Sequence, residues 1–145
     1  MYLVDTNVIS ARAPTRGVPP ELIAWMDAHS ADLFLSVVTV AEIEDGIAKA
    51  RREGAMRKRT NLEAWLETVL HLYGDRILPF GTPVARIAGR LSDRARSQGH
   101  APGFADIVIA ATAYHHGLTI LSRNLKHFEP LDVAVLDPFA VLPPV

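Results

Sequence analysis

The chain has 145 residues, 49% of them hydrophobic and 21% charged, which excludes a disordered segment and fits one domain spanning 1–145 with a substantial core. It has no cysteine, so disulfides, thiolate zinc sites and cysteine nucleophiles are excluded, and a reducing, cytoplasmic setting suits it. A net charge of −1 confines any nucleic-acid contact to a local patch, and with neither a signal-peptide pattern nor ~20 uninterrupted apolar residues, no membrane association is expected.

Read in chain order, short apolar runs alternate with longer amphipathic stretches. The first run, YLV (2–4), reads as a strand that ends at Asp5. A carboxylate there must be paired, hydrogen-bonded, solvated at a strand end, or bound to a metal, because burying it unpaired costs several kcal/mol. The connection RAPTRGVPP (12–20) holds several turn residues and reads as a surface loop. Pro19-Pro20 then opens a helix carrying Leu22, Ile23 and Met26. A second strand, LFLS (33–36), precedes a helix that Thr39 is expected to open, with Val40, Ile43 and Ile47 on one face. Leu62, Trp65, Leu66, Val69, Leu70 and Tyr73 follow helical spacing up to Gly74. RIL (76–78) is a third strand. Val84, Ile87, Ala88, Leu91 and Ala95 mark a helix closing near Gly99, and a further one runs from Phe104 to His116 with Gly117 as its stop. TILS (119–122) and VAVL (133–136) complete five strands. Such alternation predicts a parallel sheet with helices on both faces, and no internal repeat or linker interrupts it.

Ligands of open parallel α/β sheets gather beyond the carboxyl ends of the strands. Three acids stand near such ends. Asp5 ends the first strand, Glu42 lies one turn into the next long helix, and Asp106 lies in the first turn of the apolar helix FADIVIAATA. Each has a plain structural use. Asp5 would cap a helix starting at Thr6, Glu42 would complete a T-V-A-E capping box with Thr39, and Asp106 would favour the positive end of its helix dipole. Three carboxylates converging on one crevice would instead repel one another unless a cation sat among them. Oxygen ligands without thiolates point to Mg²⁺ or Mn²⁺.

The segments LVDTNVIS, SVVTVAEIEDGI, ADIVIAATA and TILSRNLKHF occur in this order and together resemble the PIN-domain ribonucleases of the VapC type, especially the FitB-like members. The resemblance covers essentially the whole chain. It implies a three-layer sandwich around a parallel sheet of about five strands, and a Mg²⁺- or Mn²⁺-dependent endoribonuclease that is the toxin of a toxin–antitoxin pair. Asp5, Glu42 and Asp106 match the acidic metal and catalytic site, with Thr6 and Asn7 as supporting residues. Many members carry a fourth acid in the loop after the fourth strand, where Asn124 and His127 stand here; Asn124 supplies an oxygen but no charge. The implied partners are a cognate antitoxin, RNA as substrate, and DNA only through the antitoxin complex, in a homodimer or a hetero-oligomer with antitoxin.

Other features are weighed more lightly. Arg123 and Lys126 are the favoured RNA contacts, since their loop leaves a strand at the same sheet edge as the acids. The run KARREGAMRKR (49–59) and the ridge Arg86, Arg90 and Arg94 read either as phosphate contacts or as solvated helix faces. Trp25, Trp65 and Met26 read as core or as the lining of a groove that in this family takes the antitoxin's C-terminal segment. His115 and His116 suit a helix end and are assigned no chemistry. A phosphoaspartyl enzyme is disfavoured because Asn7 stands where a second aspartate is needed. The competing reading is a weakly catalytic binding module on the same fold, acting with its antitoxin as a DNA-binding autorepressor.

Overall fold

The computed structural model describes residues 1–13 and 17–144; residues 14–16, the middle of the expected surface loop, and Val145 lie outside the described residues. Five parallel strands form the sheet: β1 (Tyr2–Val4), β2 (Leu33–Ser36), β3 (Ile77–Leu78), β4 (Thr119–Leu121) and β5 (Val135–Leu136), in the order β3-β2-β1-β4-β5. Leu3 lies between Phe34 on one side and Ile120 on the other. Side chains alternate across the pleat, so Leu3, Phe34, Leu78 and Ile120 join one core while Val4, Leu33, Leu35, Ile77 and Leu121 join the other.

Each core is closed by its own helices. Helices α1 (Thr6–Ile9), α2 (Pro20–Ala28) and α4 (Met56–Tyr73) bring Val8, Leu22, Met26, Val69 and Tyr73 to the second core. On the opposite face, α5 (Thr82–Ser97) contributes Val84 and Ala88, and α6 (Phe104–His116) contributes Ile107, Ile109 and Ala110. Every residue of α6 from Ile107 to Ala113 is buried, as a helix apolar on all sides must be. Helix α3 (Val37–Arg52) packs on α4 through Ile43, Ile47 and Leu66. The three-layer sandwich is the architecture the sequence predicts. Trp25 and Met26 are buried in the core, whereas Trp65 is half-buried between the second core and the α3–α4 seam.

The boundaries differ in informative places. Helix α3 starts at Val37, ahead of Thr39, because Ser36 is its N-cap and accepts a hydrogen bond from the Val38 N–H at 3.2 Å. Arg76 is not in β3. Its guanidinium donates to the carbonyls of Ser30, Leu33 and Leu72, which holds it in a 3₁₀ turn. Val133 and Ala134 precede β5 rather than extending it, following Asp132, which has φ 51°. Gly117 closes α6 with φ 65°, a conformation that favours glycine. A one-turn helix, α7 (Leu125–Phe128), follows β4 and is absent from the sequence reading; a single turn is too short to show periodicity.

Candidate active site

The chain leaves β1 for β2 in one direction and later places β4 on the other side of β1, so strand order reverses between β1 and β4. The loops after these two strands therefore face each other across the crevice where such sheets bind ligands. Asp5 ends β1, and Ser122, Arg123 and Asn124 follow β4.

Asp5 is 5% exposed, and both its carboxylate oxygens accept hydrogen bonds. One oxygen accepts from the Thr6 N–H at 2.7 Å, so the expected cap of α1 is present. The other accepts from the Ser122 hydroxyl at 2.7 Å and from the Asn7 amide at 3.3 Å. Asn7 in turn donates to Ser122 Oγ at 3.2 Å and accepts from the Arg123 N–H at 3.2 Å, while Ser122 Oγ accepts from the Asn124 N–H at 3.0 Å. These bonds pin the two loops to each other and aim Asp5 into the crevice. Asn7 thus bridges the two loops beside Asp5.

Glu42 is reached from α3. Its Oε1 accepts from the Thr6 hydroxyl at 2.6 Å, and Thr6 Oγ1 lies 3.0 Å from that of buried Thr39. The capping-box reading is corrected here: Thr39 lies inside the helix, Ser36 caps it, and Glu42 is turned to Thr6 instead. Asp106 does occupy the first turn of α6, as the dipole reading has it, and its Oδ2 also lies 3.2 Å from Nδ1 of His127 on α7.

Burial raises the Asp5 carboxyl above its ordinary range, against the lowering by the Ser122 and Thr6 hydrogen bonds; the Asp106 charge raises it further and His127 opposes that. Asp106 is likewise raised, first by burial and also by Glu42, with His127 working in the opposite direction. Three acids that press on one another across a gap describe a site with a deficit of positive charge. They line one cavity of about 460 Å³ together with Thr6, Asn7, Arg123, Asn124 and His127.

Each predicted site residue can now be placed. Asp5, Glu42, Asp106, Thr6, Asn7, Asn124 and Arg123 share this cavity. Lys126 lines an adjoining one, with Asp106 and His127 between the two. The Arg123 guanidinium rests 4.4 Å above the Phe139 ring, which fixes it at the rim. Arg86, Arg90 and Arg94 are exposed on α5, and Arg94 pairs with Asp132 at 3.3 Å. Sequence reasoning missed Ser122 and gave His127 no role. No local pattern singles out Ser122, whose role comes from its hydrogen bond to Asp5 across the crevice.

Among the described residues, no group of three or more Asp, Glu and His side chains stands ready-made to hold one ion. The donor set fits a smaller demand. Mg²⁺ retains several waters and needs only one or two carboxylates, which Asp5 and Asp106 would provide; Glu42, engaged by Thr6, would suit contact through water.

An open parallel sheet with carboxylates facing one another across its switch point defines a class, the α/β proteins with an acidic crevice at the carboxyl edge. Within that class, the chain belongs to the PIN domain family, whose description matches residues 2–132. It is 38% identical over 144 residues to Toxin FitB of Neisseria gonorrhoeae, covering 96% of this chain and 99% of that protein. It is 36% identical over 144 residues to the VapC ribonuclease Y4jK of Sinorhizobium fredii, covering 96% and 98%. A chain in the structure of FitAB bound to an IR36 DNA fragment superposes with a TM-score of 0.76 at 38% identity, over 96% of both chains.

Proposed function

We propose that this chain, as one domain over 1–145, is a divalent-metal-dependent endoribonuclease and the toxin of a VapBC-type toxin–antitoxin pair. The observation that carries this reading is the meeting of Asp5, Glu42 and Asp106 in one cavity at the sheet's switch point. Similarity to a toxin and to a VapC ribonuclease supports it. Asp5 and Asp106 would hold Mg²⁺ or Mn²⁺, with Glu42 beside them. Such an ion, when bound, neutralises phosphate charge and makes water more acidic.

The remaining work falls to the chain. The Thr6 hydroxyl holds Glu42 by one oxygen and leaves the other free to accept a proton from the attacking water. The Asn7–Ser122 bonds hold Asp5 to the loop after β4, so both sides of the crevice keep one spacing. Arg123 at the rim, and Lys126 in the adjoining cavity, supply positive charge to RNA phosphates. In-line attack then leaves a 5′-phosphate and a 3′-hydroxyl.

The cognate antitoxin is the proposed protein partner, and DNA is contacted only through that complex, in keeping with the DNA-bound FitAB relative. A groove lined by Ile43, Leu62, Trp65, Lys49 and Lys58 also reaches Glu42 and Thr6, and suits a segment of that partner. No helix among the described residues is long and apolar enough to cross a membrane, and a cytoplasmic setting goes with the proposed role.

The test is direct. Purified protein with Mg²⁺ or Mn²⁺ is expected to cut single-stranded RNA, to stop on adding EDTA, and to be inhibited by the antitoxin. A protein inert with both ions that still forms a DNA-binding complex with its antitoxin would establish the binding-module reading instead.

A second expectation concerns ion count. Three carboxylates bring three negative charges against the four positive charges of two ions, and Asn124 at the cavity wall adds none. Calorimetry on the free protein should find about one divalent ion per chain, in line with the few carboxylates Mg²⁺ requires. Asn124→Asp should tighten a second ion by roughly tenfold, as the charge count of a site tunes its affinity. Two tight ions in the wild type, unaffected by the substitution, would place Asn124 outside the ion site.

A further inference from the structure

Among the described residues, His127 is the one imidazole lining the acidic cavity, and its Nδ1 faces Asp106 Oδ2 at 3.2 Å. In this structure the contact is a hydrogen bond, and its length also suits two neighbouring ligands of one ion. Bonds of about 2.1 Å at right angles set adjacent donor atoms about 3.0 Å apart. The short helix α7 places the side chain there: the His127 N–H donates to the Asn124 carbonyl at 3.0 Å, closing the turn, and buried Phe128 anchors it on the core. The imidazole is half exposed, at 54%, so it can reorient by small side-chain rotations without disturbing the core.

We infer that His127 is a direct nitrogen ligand of the divalent ion held by Asp106, and that it shifts the site's preference from Mg²⁺ toward Mn²⁺. The inference rests on the proposed ion site at Asp5 and Asp106. Its chemical basis is donor softness. Mg²⁺ is a hard ion that takes oxygen and keeps its waters, whereas imidazole suits later and softer divalent metals. A site of carboxylates alone discriminates weakly between Mg²⁺ and Mn²⁺. Replacing one water or carboxylate by an imidazole nitrogen favours the transition metal and adds no negative charge.

The experiment uses the full chain loaded with Mn²⁺ and reads the metal rather than turnover. Electron spin-echo modulation should show a directly bound ¹⁴N in the wild type. The signal should vanish in His127→Ala and persist in His100→Ala, whose imidazole lines the adjoining cavity only. Calorimetry should show Mn²⁺ affinity falling at least about tenfold in His127→Ala, the loss that even an indirect partner of a metal ligand brings when removed. Mg²⁺ affinity should change by less than about twofold, since the carboxylates and waters that bind it remain. Mn²⁺ bound without a nitrogen signal in the wild type would overturn the inference and leave the carboxylate site standing. Tighter binding of both ions by His127→Ala would overturn it too, by showing that the imidazole only competes for Asp106. No Mn²⁺ bound by the wild type would overturn both the inference and the ion site.

Discussion

Asp106→Asn is expected to lower RNA cleavage by more than about 100-fold, beyond the 10–100-fold that loss of a metal ligand's indirect partner costs. Asp5→Asn should do the same, because in the proposed site both acids would supply charge and oxygen to the ion. Folding should not suffer at Asp106. Burial and Glu42 raise its carboxyl above the ordinary range despite His127, so the folded chain binds that proton more tightly than the unfolded chain does. A carboxyl raised in this way contributes most stability below its unfolded pKa of about 3.9, and that contribution is lost as pH rises through the folded value. The amide that replaces it cannot ionise and does not lose it. The variant should therefore melt at or above the wild-type temperature at pH 7, with the advantage shrinking toward pH 4. Thermal melts across that range, alongside single-turnover cleavage, check both statements. Retained cleavage would remove Asp106 from the site, and a variant markedly less stable at pH 7 would show that its pairing with His127 outweighs its burial.

How far the sequence carried the fold depends on the kind of signal. The helices with long apolar periodicity, α4 and α6 above all, end where their glycine stops stand, because Gly74 and Gly117 adopt positive φ that other residues resist. The strands are all present; β1 and β2 match their apolar runs, while β3, β4 and β5 are shorter than theirs. Their ends are set by tertiary bonds such as the grip of Arg76 on three carbonyls, which no local pattern reveals. The three acids and Asn7 were legible because strand ends and helix starts are visible in the pattern, and the PIN resemblance tied them together. Ser122 and His127 were not. Each acquires meaning from a partner distant in the chain: Asp5 for one, Asp106 for the other. The start of α3 failed for a different reason. Ser36 and Thr39 are both good N-cap residues, and only the direction in which β2 delivers the chain decides between them.

That last choice makes Glu42 the most discriminating position in the site. If it belonged to a capping box, Glu42→Gln would preserve the cap and the cleavage alike. In the fold, Ser36 caps α3 and Glu42 takes the Thr6 hydroxyl at 2.6 Å, a bond that the carbonyl oxygen of glutamine can also accept. Glu42→Gln should therefore leave stability within about 0.5 kcal/mol of the wild type, as exposed substitutions away from caps and core usually do. Cleavage should nevertheless fall by about 10²–10⁴-fold, the usual contribution of a positioned proton acceptor, because an amide cannot take the proton from water. Ser36→Ala supplies the opposite case. It should cost about 1 kcal/mol through the lost cap while leaving the acids and their cleavage in place. The pair separates the two roles in one set of melts and time courses. Normal cleavage by Glu42→Gln would mean that another group accepts the proton, and the position of Glu42 against Thr6 would then be structural.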